Sequence, residues 1–105
     1  MFGNMGKMLK LAAEMKTKLP ELKEELAAVE YSASSKEGDL TATVNGKMRL
    51  VGLDLPEGMD LSPRELADRI IFAVTTAQVK AQEEFMERFK ELTGGVDLPG
   101  LSELM

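Results

Sequence analysis

The chain has 105 residues, a net charge of −5 and 44% hydrophobic content, and it contains no His, no Cys and no Trp. That length makes one domain of common size, short enough that a partner surface would help it bury a core. Lacking imidazole and thiol, it has no side chain that ordinarily shuttles protons near neutrality, no thiolate nucleophile and no disulfide framework.

The first residues, Met1-Phe2-Gly3-Asn4-Met5-Gly6-Lys7, lack the continuous apolar core of a signal peptide. No apolar run approaches the ~20 residues of a membrane span. The expectation is a cytoplasmic protein that assembles and binds: not an enzyme, with no cofactor, no metal, no small-molecule substrate and no membrane partner.

From about Met5 to Val29 the apolar positions are 8, 12, 15, 19, 22, 26 and 29. These alternating steps of four and three form the seam of a helix that packs on another helix. Met5, Met8 and Met15 read as adaptable packing residues of that helix rather than a metal- or peptide-binding stripe. Lys7, Lys10, Glu14 and Lys18 fall on one flank, Lys16 and Lys23 on the other. Pro20 predicts a kink or break at Lys18-Leu19-Pro20, with the axis resuming through Leu22 and Leu26. Charge is segregated along this helix. Residues 1–20 hold four lysines against Glu14, whereas residues 21–30 hold Glu21, Glu24, Glu25 and Glu30 against Lys23.

Strands are predicted at about 30–35, 40–44 and 47–55, the first of them a weak edge strand. Asn45-Gly46 is a strong two-residue hairpin signal, pairing Val44 with Lys47, Ala42 with Arg49 and Leu40 with Val51. One sheet face then carries Leu40, Ala42, Val44, Val51, Leu53 and Leu55 as the core. The other carries Thr41, Thr43, Met48 and Leu50, apolar enough to want cover as well.

Ser62-Pro63-Arg64-Glu65 is a capping box with Pro at the first helical position, and Gly94-Gly95 is a stop, so a helix spans about 63–92. Its first half, Ile70 to Val74, is apolar nearly all round. Its second half narrows to Ala77, Ala81, Phe85, Phe89 and Leu92 and should project outward. Residues 1–95 form the domain, and 96–105 read as an irregular, mobile tail. Ile70, Ile71 and Val74, with Met48 and Leu50 on the second sheet face, exceed what one copy of the first helix can cover. They are the candidate interface of a homodimer.

Three stretches together carry a family resemblance. They are Met1-Phe2-Gly3-Asn4-Met5-Gly6-Lys7-Met8, Val44-Asn45-Gly46-Lys47-Met48, and Leu66-Ala67-Asp68-Arg69-Ile70-Ile71 followed by Ala73-Val74. With Leu92-Thr93-Gly94-Gly95 and Leu98-Pro99-Gly100-Leu101 at the end, the chain resembles the YbaB/EbfC family of bacterial nucleoid-associated proteins over essentially its whole length. Thr75-Thr76-Ala77, where the family usually shows Asn-Asp-Ala or similar, and Pro20 are departures.

The resemblance implies an α+β fold of order α-β-β-β-α, with a three-stranded antiparallel sheet between two long helices. It further implies a tight homodimer with projecting helical arms that binds double-stranded DNA, often with little sequence preference, and helps organise the nucleoid or modulate expression.

Because the two helices join the sheet by opposite ends, their free ends near Lys7 and Lys90 extend to the same side. The candidate phosphate contacts are therefore Lys7, Lys10, Lys16, Lys18, Arg88 and Lys90, diluted by Glu83, Glu84, Glu87 and Glu91. Lys47 and Arg49 at the hairpin tip form a rival basic spot. The competing reading is a protein-interaction or chaperone-like adaptor with incidental DNA affinity.

Overall fold

The computed structural model describes residues 2–94, with side chains from Met5 onward. Helix α1 (Phe2–Ala27) leads into strands β1 (Glu30–Ser34), β2 (Thr41–Asn45) and β3 (Leu50–Asp54), and helix α2 (Pro63–Thr93) closes the order. The strands form one antiparallel sheet in the order β1-β2-β3. The α-β-β-β-α arrangement is the expected one. The tail predicted at 96–105 lies outside the described residues. The molecule is elongated, 65 Å by 23 Å by 16 Å.

Helix α2 begins as its sequence dictates. The Ser62 hydroxyl accepts from the Glu65 amide at 3.2 Å and donates to the Glu65 carboxylate at 3.1 Å, with Pro63 in the first turn. It ends at Gly94, whose left-handed φ of 66° turns its amide back onto the carbonyls of Lys90 and Glu91. Between these caps the fully buried residues are Ala73, Ala77, Ala81, Phe85, Phe89 and Thr93, each four residues from the last. A step of four overshoots one helical turn by about 40°, so the buried face rotates by roughly 200° along this row.

The rotation takes α2 from one partner to another. Ala73 packs with Leu40 and Ala42, and Ala77 and Ala81 pack with Ala33 and Val44 of the sheet. Phe85 and Phe89 then pack with Met15, Leu22 and Leu26 of α1. Arg69 fastens the sheet end, forming ion pairs with Asp39 and Glu37 in the β1–β2 turn.

Helix α1 is not broken at Pro20. The proline sits on the exposed side, away from the Leu19–Leu22–Leu26 seam, where the carbonyl it leaves without a helical partner faces water. The seam itself is shorter than its sequence period. Met15, Leu22 and Leu26 are buried, Leu11 and Leu19 are half-buried, and Met8, Ala12 and Val29 are exposed. The packing predicted for Met5 and Met8 is thus not met: they are 64% and 47% exposed, because α2 stops at Thr93 and offers nothing opposite them.

The hairpin register also differs from the expected one. Asn45 and Arg49 close a three-residue turn, with Met48 donating to the Asn45 carbonyl, and Ala42 lies opposite Leu53 rather than Arg49. The left-handed residue is Met48, at φ 67°, and the Asn45 side-chain oxygen accepts from the amides of Lys47 and Arg49. Gly46 serves a different need. A Cβ there would lie 1.9 Å from the Leu26 carbonyl oxygen, so only glycine lets the hairpin tip sit against the end of α1.

Leu40, Ala42 and Val44 form the core face as predicted, but Val51, Leu53 and Leu55 are exposed. Helix α2 crosses β1 and β2 and leaves β3 uncovered. The opposite face of the first two strands is lined by hydroxyls: Ser32 bonds Thr43 at 2.7 Å and Ser34 bonds Thr41 at 3.3 Å. That part of the face is suited to water and needs no apolar cover.

Candidate nucleic-acid interface

Lys7, Lys10, Lys16 and Lys18 are all exposed on α1. The lysine spacing explains this: at 100° per residue Lys18 and Lys7 stand about 60° and 80° from the centre of the Met15–Leu22–Leu26 seam, and Lys16 and Lys10 about 100° and 140°. Lys18 lines a shallow groove between the helices with Leu22, Leu92, Glu21, Glu25 and Glu91. Lys10 and Lys7 lie ~12 Å and ~16 Å further along the axis at 1.5 Å per residue. They therefore stand on the part of α1 that runs past the last turn of α2, away from the acidic residues of the groove.

Arg88 shares the Lys18 groove but is already engaged. Its guanidinium donates to Glu25 of α1 at 2.9 Å and approaches Glu91 to 3.9 Å. Lys90 lies in a separate groove with Glu83 and Glu87 beside Val79 and Met86. The structure thus brings Arg88 to Lys18, as the antiparallel helices require, but surrounds both Arg88 and Lys90 with carboxylates.

The hairpin tip holds a grouping that sequence reasoning missed. Lys47 and Lys23 both line a cleft of about 570 Å³ over Leu26, Met48, Val79 and Phe85, while Gln78 donates to the Met48 carbonyl at 3.1 Å. The signal available was Gly46, whose close approach to Leu26 draws the two lysines to one place. Arg49 is exposed nearby in the chain.

Two further features flank these cations. Tyr31 reaches from β1 toward Glu84 and Arg88, and its hydroxyl has no hydrogen-bond partner among the described residues. Burial pushes its phenol pKa up, the Glu84 carboxylate adds to that, and Arg88 opposes it. Leu50, Val51, Leu53 and Leu55 of the β3 region and Ile71 and Phe72 of α2 are also exposed. Ile71 is 61% exposed, whereas Ile70, Val74 and Met48 are half-buried against the chain's own sheet and helix.

Among the described residues no group of three or more acidic residues is arranged to hold a metal ion, and no helix is long and apolar enough to cross a membrane.

Comparison with known proteins bears directly on this arrangement. Residues 1–96 match the family model described as the YbaB/EbfC DNA-binding family. A nucleoid-associated protein of Clostridium perfringens is 38% identical over 101 residues, covering 94% of this chain and 90% of that protein. One from Rhodospirillum rubrum is 37% identical over 99 residues, covering 91% and 92%. The crystal structure of an uncharacterized protein from Helicobacter pylori shares the fold, with a TM-score of 0.64 at 18% identity, over 74% of this chain and 93% of that one. With the match running from the first residue past the end of α2, the chain belongs to the YbaB/EbfC DNA-binding family.

Proposed function

We propose that the protein binds double-stranded DNA in the nucleoid as a homodimer, gripping phosphates through the lysines of α1 with little regard to sequence. The observation that carries this reading is the family match across residues 1–96. The names of the Clostridium and Rhodospirillum relatives support a place in the cytoplasm at the nucleoid. Electrostatics supports the division of labour. A chain of net charge −5 repels DNA over most of its surface, so attraction falls to the segment where lysines outnumber carboxylates. Lys7, Lys10 and Lys16 meet that condition best; Lys18 shares the groove of Arg88 with Glu21, Glu25 and Glu91, and Lys90 has Glu83 and Glu87 beside it.

The dimer reading rests on apolar surface. Leu50, Val51, Leu53, Leu55, Ile71 and Phe72 are exposed on one chain and extend beyond what α2 covers. A second copy related by a two-fold axis would cover the same patch on both chains and carry two arms to the DNA. Sedimentation should give about twice the 11.5 kDa chain mass. Ile71→Asp should dissociate the dimer and leave the chain folded, because Ile71 is 61% exposed in the single chain.

The decisive test is a salt series of mobility shifts on duplexes of unrelated sequence. Replacing both Lys10 and Lys18 by Glu should weaken binding uniformly across sequences and flatten the dependence of log K on log salt. Undiminished binding at matched salt would move the site to Lys23, Lys47 and Arg49. Absence of duplex binding by the parent at any salt would favour the adaptor reading.

A further inference from the structure

The cleft at the hairpin tip is built differently from the grooves that hold Arg88 and Lys90. Those two are lined by Glu25 and Glu91, and by Glu83 and Glu87. Among the described residues no carboxylate lines the hairpin cleft, and neither Lys23 nor Lys47 forms an ion pair. Both lysines are exposed, and the seating of Gly46 against the Leu26 carbonyl holds their two segments together. The cleft therefore pairs an uncompensated positive rim with an apolar floor.

Helix α2 adds a third chemistry. Gln78 and Gln82, one turn apart, line the cleft with Thr75. Gln78 donates its Nε2 to the Met48 carbonyl, which leaves its Oε1 to accept, while Gln82 and Thr75 are exposed. On the floor, the Met48 thioether and the Phe85 ring suit an aromatic body. The volume of about 570 Å³ lies within the ~300–1,000 Å³ of small-ligand sites.

An occupant that satisfies all three parts has an anionic end, an aromatic body and a hydrogen-bonding edge. A fatty-acid anion lacks the edge. A nucleic-acid strand has every part but must run on beyond one unit. Past Val79 and Gln82 the surface passes into the groove of Glu83 and Glu87, whose carboxylates repel a following phosphate.

We propose that this cleft binds a free nucleoside monophosphate, with the phosphate at Lys23 and Lys47, the base over Met48 and Phe85, and the base edge at Gln78 and Gln82. The ammonium groups act on the phosphate as point charges. A glutamine amide matches N6 and N7 of adenine, which makes adenosine monophosphate the probe of choice. The site uses none of Lys7, Lys10, Lys16 or Lys18 and does not depend on the DNA reading.

The test is calorimetric titration of the full chain with adenosine monophosphate, adenosine and inorganic phosphate. The nucleotide should bind at least about tenfold more tightly than either part, since each part forgoes the contacts of the other. Lys23→Gln with Lys47→Gln should weaken it about tenfold or more. Lys36→Gln with Arg64→Gln removes the same charge at the opposite end of the sheet and should leave the affinity unchanged. Val79→Trp, which fills the cleft from an exposed position, should abolish binding while circular dichroism shows the fold intact. Equal affinity for nucleotide and phosphate, or equal losses in the two charge pairs, overturns the proposal. So does a parent protein that takes up no nucleotide at ~1 mM, the weak end of specific binding. A single strand or duplex that displaces the nucleotide, and itself loses affinity in Val79→Trp, also overturns it and assigns the cleft to nucleic acid.

Discussion

The two ends of α2 solve different packing problems with the same residue spacing. Against the sheet the row uses Ala73, Ala77 and Ala81, which let the helix backbone approach β1 and β2 closely; against α1 it uses Phe85 and Phe89, which fill the wider gap between two rods. The two phenyl rings lie 6.1 Å apart and tilted by 30°, sharing one apolar cluster with Met15, Leu22 and Leu26. The body is therefore held by small residues and strand pairing, and the arm by a few large side chains. A body built this way resists local opening, because many neighbours share its burial. An arm built this way depends on each ring.

The largest expected effect tests that dependence. Phe89→Ala, which empties the best-buried ring of the arm, should cost about 3–5 kcal/mol of arm stability. Amide hydrogen exchange should rise in α1 and after Met86 while β1 and β2 keep their protection. Uniform loss across the chain would show that arm and body melt together.

Next comes the joint between them. Gly46→Ala drives a Cβ into the Leu26 carbonyl and should cost about 3 kcal/mol in denaturant unfolding. Gly38→Ala, where φ is 76° but space is open, should cost only about 1 kcal/mol. Comparable losses at the two sites would mean that the hairpin tip can lift from α1.

A body substitution of the opposite kind, Ala77→Leu, should overpack the helix–sheet contact and cost about 1–3 kcal/mol. The smallest effect is expected at the border between the regions. Tyr31→Phe removes a hydroxyl without a partner and should raise stability by about 1 kcal/mol. It should also alter the alkaline limb. The folded phenol holds its proton more tightly than the unfolded one. Below pH 10 both are protonated and nothing changes, while stability is lost as pH rises from about 10 through the raised folded value. The Phe variant should lack that part of the loss in an unfolding series from pH 8 to pH 11.

Element order, both caps of α2 and the burial of Leu40, Ala42 and Val44 were legible because each follows from a local pattern: a period, a capping box, a glycine stop. The hairpin register was not. Asn-Gly normally marks a two-residue turn, but here Gly46 answers to a carbonyl 20 residues earlier in the chain, and a methionine takes the left-handed position. Nothing local to those residues announces either fact.

The cover over β3 was misjudged for a similar reason, since it depends on where α2 crosses the sheet. In the candidate site, the exposure of the α1 lysines could be read from the helical wheel. The pairing of Arg88 with Glu25 needed the register between two helices 63 positions apart in sequence.

The rotating row on α2 makes the bearing of the arm a matter of residue count. One residue inserted between Ala81 and Phe85 would swing the α1-facing side by ~100° and uncouple the arm from the body. Matched insertions of seven residues in both helices return almost to the starting angle and lengthen the arm by ~10 Å. The helix pair thus behaves as a ruler graduated in double turns, and the distance from the body at which its outermost lysines stand can be reset in those increments without redesigning the sheet.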